Sequence, residues 1–371
     1  MNPRFLPFFS LLTLAASALA ADWPMHRGDP QLQGRSAMPA PEKPALRWSF
    51  KAGKPIKAPA AIAQGRVFVG DDAGIVHALN LSDGKELWTF KTEGPIEAAP
   101  LVLDGVVFIG SSDNRLYALN AADGALKWKY ETMDKILGGA NYARDPAGSG
   151  YWIIIGSYDA LLHCVDATTG KMVWTVETDN YINGTPGITA AGEAVFGGCD
   201  AYIHVVSLKE RKEVRKFESG AYIAGSAAFD GPMGYVGHYG NEVLGFVPGD
   251  GTILWKYRDR NFAYFSSPAL TADHVILGGR DKRLHCIDRA SGKGVWTFQT
   301  RGQVDSSPVI CGDAVIVGSE DGRLYCVNLA DGKQRWAYEI GAAVTASPAA
   351  ADGLIVIGAE DGTLYAVGSA K

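Results

Sequence analysis

The sequence predicts an all-β fold: a ring of eight blades, each a sheet of four antiparallel strands, closed by an N-terminal strand that completes the last blade. Three observations predict it. Glycine and proline supply 45 and 18 of the 371 residues, a density of turn formers that favours many short strands over long helices. A tryptophan-centred motif recurs along most of the chain. Helical 3.6-residue periodicity is absent over any useful length.

The motif reads ALNLSDGKELW at 78–88, ALNAADGALKW at 118–128 and CVDATTGKMVW at 164–174, and returns in forms ending at Trp255, Trp296 and Trp336. A degenerate copy, VVSLKERKEVR, holds Arg215 in the tryptophan slot. The column falls at positions 48, 88, 128, 174, 215, 255, 296 and 336, a period that fits four short strands per unit, as in a β-propeller.

Within a unit, Val106-Val107-Phe108-Ile109-Gly110, the turn Ser111-Ser112-Asp113-Asn114 and Leu116-Tyr117-Ala118-Leu119 read as a hairpin. A turn at Asp123-Gly124 leads to a fourth strand from Ala125 to Tyr130, and the loop from the preceding unit enters a first strand containing Ala98-Ala99-Pro100. The eighth copy, Leu354 to Val367, stops before its fourth strand, whereas Ala45 to Phe50 is a fourth strand with no unit before it. The two ends complete one blade, which leaves no sheet edge to pair with another chain.

The remaining divisions follow. Residues 1–20 carry Arg4, an apolar run from Phe5 to Leu14 and the triplet Ala18-Leu19-Ala20, the pattern of a signal peptide cleaved before Ala21. Residues 21–44 form an N-terminal extension and 45–371 the propeller. The first cysteine is Cys164 and no later run of 18 apolar residues exists, so neither a lipid anchor nor a membrane span is expected. The five cysteines include no CxxC pair, so no disulfide framework is encoded. The formal charge of −5 gives no pull toward nucleic acid. The expected product is a periplasmic or secreted monomer.

Eight copies let each column be sorted by role. Trp48, Trp88, Trp128, Trp174, Trp255, Trp296 and Trp336 share one column and are read as structural docking residues filling the gap between blades. His77, His163, His204 and His285 share a column with Tyr117, Tyr325 and Tyr365, so they circle the molecule instead of converging on one ion, and no metal site is expected. Cys164, Cys286 and Cys326 share a small-residue column with Ala78, Ala118 and Ala366 and read as buried thiols.

Variation between copies points to a binding face. At the start of each innermost strand stand Lys57, Glu97, Leu137, Asn183, Ala224, Phe265, Asp305 and Thr345, a column expected to line the mouth of the central channel. Beside it are Tyr181, Tyr222 and Tyr264, and on nearby turns Asp72, Tyr158, His238, Tyr239, Arg280 and Glu320. The insertion Asp145 to Gly150 is expected on the opposite face.

The A-x-D-x-x-x-G-x-x-x-W pattern resembles the tryptophan-docking repeat of quinoprotein dehydrogenases and of the outer-membrane assembly factor BamB family, and Asp22-Trp23-Pro24-Met25-His26-Arg27-Gly28 resembles the start of secreted PQQ-like propeller proteins. The resemblance implies two functions. One is a non-catalytic scaffold that binds a protein or extended peptide of the cell envelope, for which a tyrosine-rich rim is suited. The other is oxidation of alcohols or sugars with pyrroloquinoline quinone (PQQ) and calcium. That chemistry needs an aromatic floor, oxygen ligands and a carboxylate base. Glu97, Asn183 and Asp305 are the right types, but they are spread around a channel wide enough to hold a cation only off its axis. The vicinal cysteine pair and long inter-blade insertions of those enzymes are missing. No G-x-S-x-G, H-E-x-x-H or P-loop is present. The expectation is therefore the scaffold, with no cofactor and no catalytic residue.

Overall fold

A computed structural model describes residues 22–370, and the leader expected over residues 1–20 lies outside them. The ring of eight is present. Seven blades run inside to outside in chain order; the first is built from Ala61–Ala63, Arg66–Gly70, Ile75–Asn80 and Glu86–Lys91. The eighth is shared between the ends: Ala349–Ala351, Leu354–Gly358 and Thr363–Ser369 are completed on the outside by Pro44–Lys51. Trp48 pairs with Ala366 and Phe50 with Leu364 across that closure.

Two columns hold blade to blade. The docking indoles donate Nε1–H to a backbone carbonyl of the next blade, as Trp48 to Leu81 (2.8 Å), Trp88 to Ala121 (3.1 Å), Trp128 to Ala167 (3.1 Å), Trp255 to Arg289 (3.0 Å) and Trp296 to Leu329 (2.9 Å). Trp336 reaches Pro41 at 2.7 Å, and Arg215 donates to the equivalent carbonyl of Pro248 at 2.9 Å. The indole lies on the glycine three residues after that carbonyl, where a Cβ would strike the ring, as at Gly84 under Trp48. Blade four breaks this rule. Arg211 replaces the glycine at φ 58°, and Trp174 Nε1 is buried without a partner. Its ring instead meets Trp152 edge-on at 6.1 Å.

The second column packs the ring's interior. Gly70, Gly110, Gly156, Gly197, Gly278, Gly318 and Gly358 each leave room for an isoleucine or valine of the next blade, such as Ile96 over Gly70. Tyr264 fills this slot over Gly237.

The channel is filled, contrary to expectation. Residues 22–36 run around its inside and touch the innermost strands in chain order. Trp23 bridges Ile62, the Pro24 carbonyl accepts from Val102, Pro30 from Ile188, Gln31 from Phe229, Gln33 from Leu270 and Gly34 from Ile310. Arg35–Ser36 then adds a parallel fifth strand to Val309–Cys311, and Ser36 Oγ donates to Ala350. In blade three, Asn141 Nδ2 donates to the Pro30 carbonyl at 2.8 Å. In blades one, two and four to seven the donor is the N–H of one column of the repeat, Ile62, Val102, Ile188, Phe229, Leu270 and Ile310, whereas blade three uses the Asn141 side chain and in blade eight the Ala350 carbonyl accepts from Ser36. Unpaired strand edges require such partners when water is excluded. Met25, Arg27 and Leu32 are fully buried here, and Arg27 Nη2 donates to the carbonyls of Pro268 and Pro308. Gly34, at φ 66°, leaves the space that the guanidinium fills.

Candidate functional site: a blind cup on the turn-rich face

Alternating chain direction places the loops entering the innermost strands and the turns between second and third strands on one face. The insertion at 145–150 is on the other, beside Leu103 and Asp104 of blade two. On the first face the filled channel leaves a cup of about 160 Å³. Its wall is the column from blades two to six, Glu97, Leu137, Asn183, Ala224 and Phe265, and His26 of the axial segment closes it. The other three column members turn to rim partners instead. Lys57 pairs with Asp72 at 2.9 Å, Asp305 takes a bidentate Arg280 (2.7 Å at its shortest), and Thr345 donates to Glu360 at 3.3 Å.

The aromatic residues gather on the same half of the rim as the cup. Tyr158 and Tyr181 stack at 4.7 Å and 7°, with Lys135 over Tyr158 at 4.4 Å. Tyr222 meets Tyr239 edge-on at 6.4 Å, and Tyr239 packs on Phe265 at 4.3 Å. Arg280 covers Phe265 at 3.6 Å. Tyr181, Tyr222 and Tyr239 are exposed, as are Phe262 and Met133 on loops of the same face. Tyr264 is a correction. It is 2% exposed and packs against His285 at 5.2 Å in the isoleucine column. Tyr181 and Tyr222 precede their blade's column residue, Ile182 and Ile223, whereas Tyr264 occupies it, and one residue of offset reverses the face a side chain takes.

Charge is unevenly satisfied. The cations Lys57 and Arg280 are spent on Asp72 and Asp305, while Glu97 and Glu320 have no ion-pair partner among the described residues. Glu320 is pushed toward the protonated form by burial first and by Asp305 second. Burial, then the adjacent Arg27, lowers the pKa of His26 to about 3, so it is neutral at pH 7. Asn183 donates Nδ2–H to Cys199 Sγ at 2.8 Å. Cys199 is the half-buried cysteine, and the other four are buried.

The histidine column is structural. His163, His204 and His285 each bond the aspartate four residues earlier, at 3.1, 2.8 and 3.1 Å, as Tyr117, Tyr325 and Tyr365 bond theirs. Among the described residues, Asp259, Asp281 and His285 come within 4.8 Å of one another. Asp281 and His285 are that repeated pair, and Asp259 is engaged by Arg283 at 3.5 Å.

Sequence reasoning missed His26, Lys135 and the course of residues 22–36. The PMHRG stretch was visible, but nothing in its spacing reports a position inside the ring.

The family model described as outer membrane protein assembly factor BamB matches residues 40–143 and 135–371. No curated protein matches the chain. Among solved structures, BamB from Moraxella catarrhalis is similar at TM-score 0.74 and 21% identity, over 88% of this chain and 97% of that one. The quinohemoprotein alcohol dehydrogenase from Comamonas testosteroni is similar at TM-score 0.80 and 14% identity, over 95% and 81%. A computationally designed protein, Ika8, reaches TM-score 0.75 at 15% identity, over 86% and 98%. At these identities the likeness is one of fold.

The residues that line the cup do not fit a quinone with calcium. The cup's 160 Å³ is below the roughly 300 Å³ at which small-molecule pockets begin. Glu97 and the Asn183 oxygen are far fewer than the six to eight oxygen ligands of calcium. Seven tryptophans dock blades, and Trp23 and Trp152 are buried in the core, so none forms a floor.

Proposed function

Since the chain belongs to the outer membrane protein assembly factor BamB family, we propose that it is an exported, non-catalytic propeller that presents its turn-rich face to a protein or extended peptide of the cell envelope. The observation that carries this reading is the confinement of exposed aromatic side chains on that face to blades four to six, around the cup. Tyr181, Tyr222 and Tyr239 offer large, rigid contact area at small entropic cost, the composition of a binding hot spot and not of a solvated rim. The rigid ring beneath them, pinned by seven tryptophans and by the axial segment, holds them in place before a partner arrives. The family's own association with outer-membrane assembly agrees with an envelope partner.

Two experiments test it. Replacing Tyr181, Tyr222 and Phe265 with alanine leaves the fold intact and weakens partner capture from envelope extract. Identical partner recovery by variant and wild type would refute the assigned face. Titration with PQQ and calcium leaves the melting temperature unchanged on this reading, whereas a clear rise would favour the oxidoreductase.

A further inference from the structure

The cup is too small for a cofactor, yet it is closed at its base, lined on two chemically different sides and placed where the aromatic arc would hold a partner segment. Leu137, Ala224 and Phe265 give it an apolar side. Glu97 and Asn183 give it a polar side, with the Thr185, Ser226 and Ser267 hydroxyls beside them: Glu97 has no partner among the described residues, and Asn183 spends one N–H on Cys199, which leaves its other N–H and its oxygen. Of the rim cations, Lys57 and Arg280 are held by Asp72 and Asp305, and Lys135 lies over the Tyr158 ring at 4.4 Å. His26, kept neutral, adds no positive charge at the base.

An apolar wall beside the unpaired Glu97 carboxylate and the Asn183 oxygen suits a long side chain with an aliphatic stem and a cationic head. Lysine suits a cup of about 160 Å³ better than arginine, because its ammonium is compact whereas the guanidinium is a broad planar fork. We propose that the cup is a specificity pocket for one lysine side chain of the bound segment, with its methylenes against Leu137, Ala224 and Phe265 and its ammonium on Glu97 and Asn183. This rests on the reading of the face as a peptide-binding surface and adds what that peptide must carry: a lysine within a few residues of an aromatic or prolyl contact for the tyrosine arc.

The test uses the full chain and a small probe. Nα-acetyl-lysine methylamide, and its norleucine counterpart, are titrated at pH 7 while the imidazole C–H signals are followed by NMR, with the His26 signals identified by their loss in His26→Gln. The lysine probe is expected to shift the His26 signals saturably, with the norleucine probe and the Glu97→Gln variant at least tenfold weaker. Glu97 is exposed and unpaired, so that substitution leaves the fold alone; Tyr222→Ala, outside the cup, is expected to leave probe binding unchanged. Lysine-probe binding that is equal in Glu97→Gln, or His26 signals that never shift, would overturn the pocket. The face itself is judged separately by partner capture with the tyrosine variants: capture that still depends on Tyr181 and Tyr222 keeps the platform reading even if the pocket fails.

Discussion

Arg211→Gly is expected to stabilise the protein, because blade four is the one place where the docking rule is broken twice. Arg211 sits at φ 58°, a left-handed conformation that costs a non-glycine residue roughly 1–2 kcal/mol. Its Cβ also occupies the place where six blades seat the preceding docking side chain, and Trp174 Nε1 is left buried and unbonded, a state worth about 1–3 kcal/mol. Glycine removes the first cost and lets the indole return over residue 211, within reach of the Leu208 carbonyl that the repeat aligns with Leu81 and Ala121. Against this stand the lost Arg211 contact over Trp152, at 5.3 Å and about 0.5–1 kcal/mol, and the greater freedom of glycine in the unfolded chain, roughly 0.5–1 kcal/mol. From the midpoints of these ranges the net gain is about 2 kcal/mol, or roughly 2–3 °C in melting temperature for a chain of 371 residues. Calorimetry reads it directly. In parallel, Trp174→Phe is expected to cost less than Trp296→Phe, since only Trp296 has a hydrogen bond to lose. An unchanged or lower melting temperature for Arg211→Gly, or equal costs for the two Phe variants, would refute the docking argument.

Arg27→Met is expected to leave the carbonyls of Pro268 and Pro308 without their donor, at about 1–3 kcal/mol each, and to make residues 22–36 cleavable by protease under native conditions; wild-type resistance in the variant would show that Arg27 does not pin the segment. His204 is raised above its ordinary pKa of 6.5: burial opposes this and is outweighed by its bonds to Asp200 and Glu213. Its contribution to stability is therefore complete below pH 6.5 and is lost as pH climbs through the raised folded value. Across that window wild type should lose stability with a slope of up to about 1.4 kcal/mol per pH unit from this group, and urea melts of His204→Gln should show the shallower dependence.

The ring was legible because its determinants are local and repeated. A tryptophan eleven residues after a His or Tyr, with a glycine between them at a tight turn, announces a blade wherever it occurs, and even Arg215 kept its column. The path of residues 22–36 was not legible, because its contacts are backbone carbonyls accepting from inward N–H groups, and that pairing is nearly blind to side-chain identity. His26 was hidden for the same reason: its place in the cup depends on a path that only the folded ring defines. The candidate site was half visible. The variable column was found, and five of its eight members line the cup, but the structure separates them from Lys57, Asp305 and Thr345 through ion pairs and hydrogen bonds that spacing does not reveal. Tyr264 shows the sharper limit. Its neighbours in the tyrosine series differ from it by one residue in register, and in a repeat that residue is the difference between rim and core.

The central claim is that a partner binds the turn-rich face around Tyr222. A photo-crosslinking residue at position 222, compared with one at Leu87 on the exposed outer strand of blade one, measures this in intact envelopes. Discrete adducts from position 222 that diminish when Tyr181 and Phe265 are also replaced by alanine, with none from position 87, are the predicted result; adducts that are the same from both positions, or that persist undiminished without those two rings, would contradict it.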